Sequence, residues 1–119
     1  MSAEHTPTAI TLHQKSRVLE IAFTDGRTFK LPYEYLRVYS PSAEVRGHGP
    51  GQEVLQTGKL SVEIRSMEPV GSYAVQPQFS DGHATGIYSW DYLYELGETQ
   101  EKLWNEYLRK LKAAGASRE

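Results

Sequence analysis

The chemistry open to this chain rests on four histidines, fifteen carboxylates and its hydroxyl side chains, because it contains no cysteine. That absence excludes a disulfide framework, a thiol nucleophile and any zinc or iron–sulfur site built on thiolates. A non-haem iron site needs two histidines and a carboxylate, commonly announced by His-x-Asp or His-x-Glu. None of His5, His13, His48 and His83 has an acid two places on. Gly47-His48-Gly49-Pro50-Gly51 is rich in glycine, but no Lys-Ser/Thr follows it as in a phosphate-binding loop. It reads as a flexible connection. Asp81, His83 and Ser89 include the residue types of an acyl-transfer triad, yet nothing around Ser89 resembles a nucleophile elbow. Ser89 reads better as a helix N-cap, its hydroxyl accepting from an otherwise unpaired amide.

No catalytic residue, metal ligand or cofactor is therefore assigned. Glu44, His48 and His83 offer at most a weak, improvised metal site. His83 reads as an ordinary strand residue beside a turn, or alternatively as part of a binding surface with Arg37, Tyr88 and Trp90. The aromatic residues Tyr73, Phe79, Tyr88, Trp90, Tyr92 and Tyr94 are expected to be mainly core. The alternative spares two or three of them for a partner site, where Tyr and Trp are enriched.

The elements that must position these residues are legible from Val70 to Leu96. Asp81-Gly82 separates two β-prone segments, Ser72 to Phe79 and His83 to Tyr88, and suggests a two-residue hairpin loop with φ > 0 at both positions. Pro77 lacks a ladder donor, which suggests an edge or a bulge. Beyond Ser89, the spacing of Trp90, Leu93, Tyr94 and Leu96 predicts a helix, with Gly97 as its stop. The same description fits an earlier stretch. Arg17 to Thr24 alternates, with Leu19, Ile21 and Phe23 on one face. Asp25-Gly26 then turns into Arg27 to Leu31, and Pro32 opens a short helix, Tyr33 to Arg37. The pattern F-[ST]-D-G occurs at Phe23 and at Phe79, and Tyr35-Leu36 matches Tyr92-Leu93 after a one-residue gap. The reading is a hairpin-then-helix unit written twice, the two lying side by side in one sheet; chance likeness of two common hairpins is the alternative.

The rest of the chain is read as follows. Residues 1–8 form a disordered lead-in, and Ala9 to His13 a first strand with Ile10 and Leu12 facing in, followed by a turn at Gln14-Lys15-Ser16. Ser40 to Gly51 is loop, Glu53 to Thr57 a helical turn, and Leu60 to Arg65 a strand broken by Glu68-Pro69. The domain runs over residues 9–97. A helix over residues 98–115 follows, with a stripe of Leu103, Trp104, Tyr107, Leu108 and Leu111, acids early, lysines late and Gly115 at its end. Residues 116–119 are expected to fray. The fold class is α+β, with a mainly antiparallel sheet built from two hairpin-helix units and an added C-terminal helix. That helix is expected to pack on its own domain, giving a monomer; a homodimer through it is the alternative.

Composition narrows the function. The 119 residues suit one domain with a real core. A formal charge of −2 carries no electrostatic footprint for nucleic acid or an anionic membrane. No apolar run approaches the roughly 18 residues of a spanning helix. The N-terminal residues lack a signal-peptide apolar region. A cytoplasmic protein is the expectation.

Three segments carry a resemblance: D-G-R-x-F-x-L-P-x-x-x-L-R (Asp25 to Arg37), E-P-V-G-S-Y-A-V (Glu68 to Val75) and F-S-D-G-H-A-T-G-I-Y-S-W-D-Y-L (Phe79 to Leu93). Together, over roughly residues 7 to 97, they resemble the gamma-butyrobetaine hydroxylase-like N-terminal domain family. The resemblance implies a domain that stands alone in bacteria, precedes an iron- and 2-oxoglutarate-dependent oxygenase domain in carnitine-pathway hydroxylases, and follows some iron–sulfur carrier ATPases. It also implies a structural zinc in the hydroxylases, held by L-R-x-x-C-P-C-x-x-C and a histidine. Here the thiolate positions are Ser40, Ser42 and Val45, and only His83 matches a ligand. Neutral hydroxyls are poor zinc ligands, so no structural zinc is expected. The expected function is a small non-enzymatic binding or accessory domain whose partner is another protein, linked to iron–sulfur or metalloenzyme pathways by family association. The alternatives are a small enzyme or ligand-binding protein with a pocket around His83, or an oxygenase subunit.

Overall fold

The computed structural model describes residues 5–47 and 51–119. Three strands open the chain: β1 (Pro7–His13), β2 (Val18–Phe23) and β3 (Thr28–Pro32), followed by helix α1 (Tyr33–Val38) and a single turn, α2 (Ala43–Arg46). Next come β4 (Ile64–Val70), β5 (Ala74–Phe79) and the two-residue β6 (Tyr88–Ser89), then α3 (Trp90–Glu98) and α4 (Gln100–Ala113). The class is α+β, as read from the sequence. The two units do not share a sheet, however: β1-β2-β3 and β4-β5-β6 are separate antiparallel sheets.

Alternation explains how the first sheet buries one face. Leu19, Ile21 and Phe23 of β2 are buried, and Leu31 and Phe29 of β3 stand opposite Leu19 and Ile21. Ile64, Val75 and Phe79 of the second sheet and Leu93 and Leu96 of α3 complete the same core. Each such aliphatic burial contributes about 1.5–3 kcal/mol. Ile10 is exposed, against expectation, because β1 is an edge strand with little packed on it, and Leu12 is half-buried.

Both Asp-Gly turns form, in one shared geometry that differs from the two-residue loop expected. Gly26 N–H donates to Phe23 O and Phe23 N–H to Arg27 O, at 3.0 and 2.9 Å. Gly82 N–H to Phe79 O and Phe79 N–H to His83 O repeat this at 3.1 and 3.0 Å. Only the glycines take φ > 0, at 88° and 90°. Each aspartate instead accepts the amide two residues on, Arg27 N–H at 2.9 Å and His83 N–H at 3.1 Å. These are three-residue loops closed by a left-handed glycine. The first turn of the chain runs through Arg17, which takes φ 57°.

Several boundaries differ from the sequence reading. Strand β4 runs through Pro69, which an edge strand tolerates because its outer side needs no donor. Leu60 and Val62 lie before it in turns, with Val62 N–H bonded to Lys59 O. Pro77 lies in the middle strand, but β6 pairs only with Ala74 and Val75 and so leaves that part of β5 open on one side. Residues 83–87 are irregular rather than strand. Residues 53–57 are not helical; Val54 N–H bonds Val45 O instead. Gly97 lies inside α3, where any Cβ would collide with the Phe29 ring, and Thr99 separates α3 from α4.

Helix α4 packs on its own chain. Tyr107 and Leu111 join Val38 in a small second core, Leu103 and Trp104 are half-buried, and Leu108 faces outward. Gly115 ends the helix with φ 65°. The tail does not fray. Gly58 N–H donates to Ser117 O at 3.0 Å and Leu60 N–H to Arg118 O at 2.9 Å. Arg118 makes a two-pronged pair with the buried Glu34, at 2.8 and 2.7 Å. Nor are residues 5–8 a loose lead-in: His5 stacks on Tyr94, its backbone N–H bonds Asp91 at 2.9 Å, and Pro7 begins β1.

Candidate functional site

The polar groups of interest gather where the end of α1 meets the second Asp-Gly turn. Ser40 follows the α1 cap at Tyr39, Ser42 precedes α2, and Glu44 lies on α2. His83 is delivered by the left-handed Gly82 just before it. Ser40 Oγ is 2.8 Å from His83 Nε2, Ser42 Oγ is 3.3 Å from the same nitrogen, and the two hydroxyls are 3.3 Å apart. On the far side of the ring, Nδ1 lies 3.2 Å from Glu44 Oε2, and Thr85 donates to Glu44 Oε1 at 3.2 Å. A carboxylate facing Nδ1 places the proton there, leaving Nε2 to accept from Ser40.

The electrostatics keep this imidazole neutral. Burial pushes the His83 pKa down and the Arg37 charge pushes it further, against the opposing pull of Glu44 and Asp81. For Asp81, burial acts upward but is outweighed by hydrogen bonds from Lys59, the His83 amide and Arg37, which hold it at about 2. Lys59 Nζ and Arg37 Nε both reach Asp81 Oδ2, at 2.6 and 2.9 Å.

Of the four residues expected to form a binding surface, three do come together, but inside. Arg37, His83 and Tyr88 are all buried. Tyr88 donates to Leu36 O, and burial pushes its pKa well up. Trp90 is at the other end of β5, with its indole N–H on Ser72 O at 2.8 Å. The expected surface therefore does not exist as one face: residues 83–87 fold over Ser40 instead of running out as an exposed strand.

Ser40, His83 and Glu44 line up as hydroxyl, imidazole and carboxylate, the order of an acyl-transfer relay. Sequence reasoning missed it by testing Ser89, which is instead an N-cap accepting from Tyr92 N–H at 3.1 Å. The relay has no room to act. Ser40 is 1% exposed, and Gly86 sits so close to Oγ that even a methyl group there would collide. Nor do these residues fit the zinc that the resemblance associates with their positions. One imidazole and two mutually hydrogen-bonded neutral hydroxyls are a poor donor set, and Val45 is a buried hydrocarbon. Among the described residues, no group of three or more His, Asp or Glu is placed to hold a metal ion. His48, the third member of the improvised set, lies outside the described residues. The cluster is a polar pin that fastens the 40–46 segment to the second turn.

Open space adjoins the pinned segment, and Ser40 itself belongs to its wall. A groove of about 860 Å³ runs between the end of α1, α3, α4 and the 53–56 segment. Val38, Val45, Leu55, Tyr92, Leu103 and Tyr107 line it, and Arg46, Glu53, Glu95 and Lys110 add charge of both signs to its wall. Three tyrosine hydroxyls brace it: Tyr92 on Tyr39 O at 2.6 Å, Tyr39 on Leu103 O at 2.6 Å, and Tyr107 on Gln56 O at 2.7 Å. The sequence contained no signal for this groove, since residues far apart in the chain form its walls.

Two hairpin-helix halves, a buried polar pin and a C-terminal helix closing a groove define a small α+β domain with no exposed reactive centre among its described residues. The chain belongs to the family described as gamma-butyrobetaine hydroxylase-like, N-terminal, whose model matches residues 10–94. Two solved structures, both NMR solution structures, are 47% and 52% identical with TM-scores of 0.85 and 0.84. The first covers 98% of this chain and 92% of its own, the second 100% and 91%, so the likeness extends over α4. A crystal structure of a DUF971-family protein of unknown function from Acidithiobacillus ferrooxidans is 42% identical with a TM-score of 0.66, covering 77% of this chain and 92% of that one. No curated protein matches. Among the described residues, no helix is long and apolar enough to cross a membrane.

Proposed function

We propose that this chain is a non-enzymatic binding or accessory domain of the bacterial cytoplasm, and that it holds another protein in the groove between α4 and the 53–56 segment. The observation that carries this reading is the contrast between the cluster and the groove it borders at Ser40. The polar cluster is buried and spends its hydroxyls and imidazole on one another, whereas the groove is open, largely apolar and framed by charge. Service to an iron–sulfur or metalloenzyme pathway is supported by the family's name and by the company the resemblance implies, which is association rather than chemistry. The rival reading, a small enzyme or ligand-binding protein around His83, draws on the Ser40–His83–Glu44 order. Burial of Ser40 and His83 weighs against it.

The test places a photo-crosslinker at the exposed Val54 in the native cell, with Thr11 of β1 as control. The captured protein is then purified and its affinity measured directly. Lys110→Glu and Val54→Glu should each weaken binding about tenfold, equivalent to 1.4 kcal/mol, without lowering the melting temperature. A partner that crosslinks equally from Thr11, or binds both variants unchanged, would overturn the groove assignment. Covalent labelling of Ser40 by an acylating probe would favour the rival.

A further inference from the structure

The two units meet through hydrogen bonds that come in matched pairs. Tyr35 of α1 donates to the carbonyl of Leu96 in α3 at 2.7 Å. Tyr92 of α3 donates to the carbonyl of Tyr39 at the end of α1 at 2.6 Å. Tyr35 and Tyr92 are the matched residues of the sequence repeat, and each acceptor lies four residues beyond the opposite tyrosine. A second pair follows the same exchange. Arg37, two residues past Tyr35, bonds Asp81 at 2.9 Å, and Tyr94, two residues past Tyr92, bonds Asp25 at 2.6 Å. Asp25 and Asp81 are the equivalent aspartates of the two turns. Each helix thus secures the turn of the other unit. Strand pairing, by contrast, does not cross among the described residues: residues 7–32 and 64–89 build their sheets separately.

We infer that the chain is an internal pseudo-dimer, whose two units present self-complementary surfaces and whose interface is complete without the covalent connection between them. An isologous interface has this signature: residue i of one unit contacts j of the other, and j contacts i in return. The partner that fits each surface is the other unit of this chain, joined to it or not. The connection adds no strand to either sheet; Gly58 to Leu60 is tied to the C-terminal tail and Gln56 to Tyr107, while Val54 N–H to Val45 O is one backbone bond that would join the two pieces after a cut at Gly51.

The experiment inserts a protease site after the exposed Gly51 in the full chain and cleaves the folded protein. The two pieces should co-elute as one species, keep their amide spectrum, and reassociate after denaturation and dilution at equimolar ratio. Separation on cleavage with loss of the spectrum would overturn the inference. A second measurement needs no cut. Tyr35→Phe and Tyr92→Phe remove equivalent bonds, so each should lower the folding equilibrium constant of the intact protein by a similar factor, about tenfold. A large loss at one position and none at the other would show that the likeness of the two contacts is coincidental.

Discussion

Ser40 Oγ lies 2.8 Å from His83 Nε2, joining two segments that are 43 residues apart in sequence. With the proton on Nδ1 the imidazole accepts here, so protonating His83 reverses this bond and places a charge in a buried site. Its depressed pKa means the folded state favours the neutral ring. That stability is fully present above the unfolded value near 6.5 and declines as pH falls below it. Asp81 is held at about 2 against an ordinary 3.8, so its contribution is present above 3.8 and lost as pH falls toward 2. Denaturant titrations across this range should show two acid-side losses, the lower one reduced by solvent screening at the exposed Asp81. His83→Asn should abolish the upper one; an unchanged profile would refute the pin.

The same cluster predicts indifference to metal. Purified protein should carry substoichiometric zinc and iron, and a chelator should leave its melting temperature unchanged. Replacing Ser40, Ser42 and Val45 together with cysteine should create a stoichiometric cobalt site with thiolate charge-transfer bands. Tight metal in the natural protein by elemental analysis would contradict the account.

Two kinds of glycine should fail for different reasons. Gly26 and Gly82 have open space around them but take φ near 90°, so Gly26→Val and Gly82→Val should each cost about 1 kcal/mol or more from backbone strain. Gly97 is not left-handed but lies against the Phe29 ring. Gly97→Ala should cost about 1–3 kcal/mol by overpacking, relieved in part by Phe29→Leu. Chemical denaturation of the single and double variants checks both claims.

For α4, Tyr107→Ala should cost about 3–5 kcal/mol, whereas Leu108→Ala should stay within about 0.5 kcal/mol. Because this helix packs on Val38 of its own chain, the melting temperature should not rise with protein concentration. Sedimentation should report a monomer at micromolar concentration. A concentration-dependent melt abolished by Trp104→Ala would show that α4 also joins two copies.

Local rules carried much of the fold. Alternation placed β2 and β3, Ser89 capped α3, and F-x-D-G located both turns, although the side chains of Asp25 and Asp81 selected a longer loop than expected. Burial at the chain's edges was harder to read. Ile10 and Leu108 fit their periodic stripes yet face outward, because no element among the described residues covers them. The site was legible in its members but not in its arrangement. Ser40, Ser42, Glu44 and His83 were all named, but their meeting depends on residues 83–87 leaving the strand, a tertiary choice without a short-range signal. The groove depends on how α4 crosses the end of α1, which periodicity alone does not determine.

The tail held at Gly58 and Leu60 has a practical consequence for anyone handling this protein. Arg118 is the sole hydrogen-bonded partner of the Glu34 carboxylate among the described residues, and its guanidinium also lies 5.2 Å over the Trp104 ring. Replacing Arg118, or truncating the chain before it, would strand that carboxylate in the interior. For labelling, Lys15, on the exposed turn between β1 and β2, offers an attachment point remote in sequence from both latch and groove.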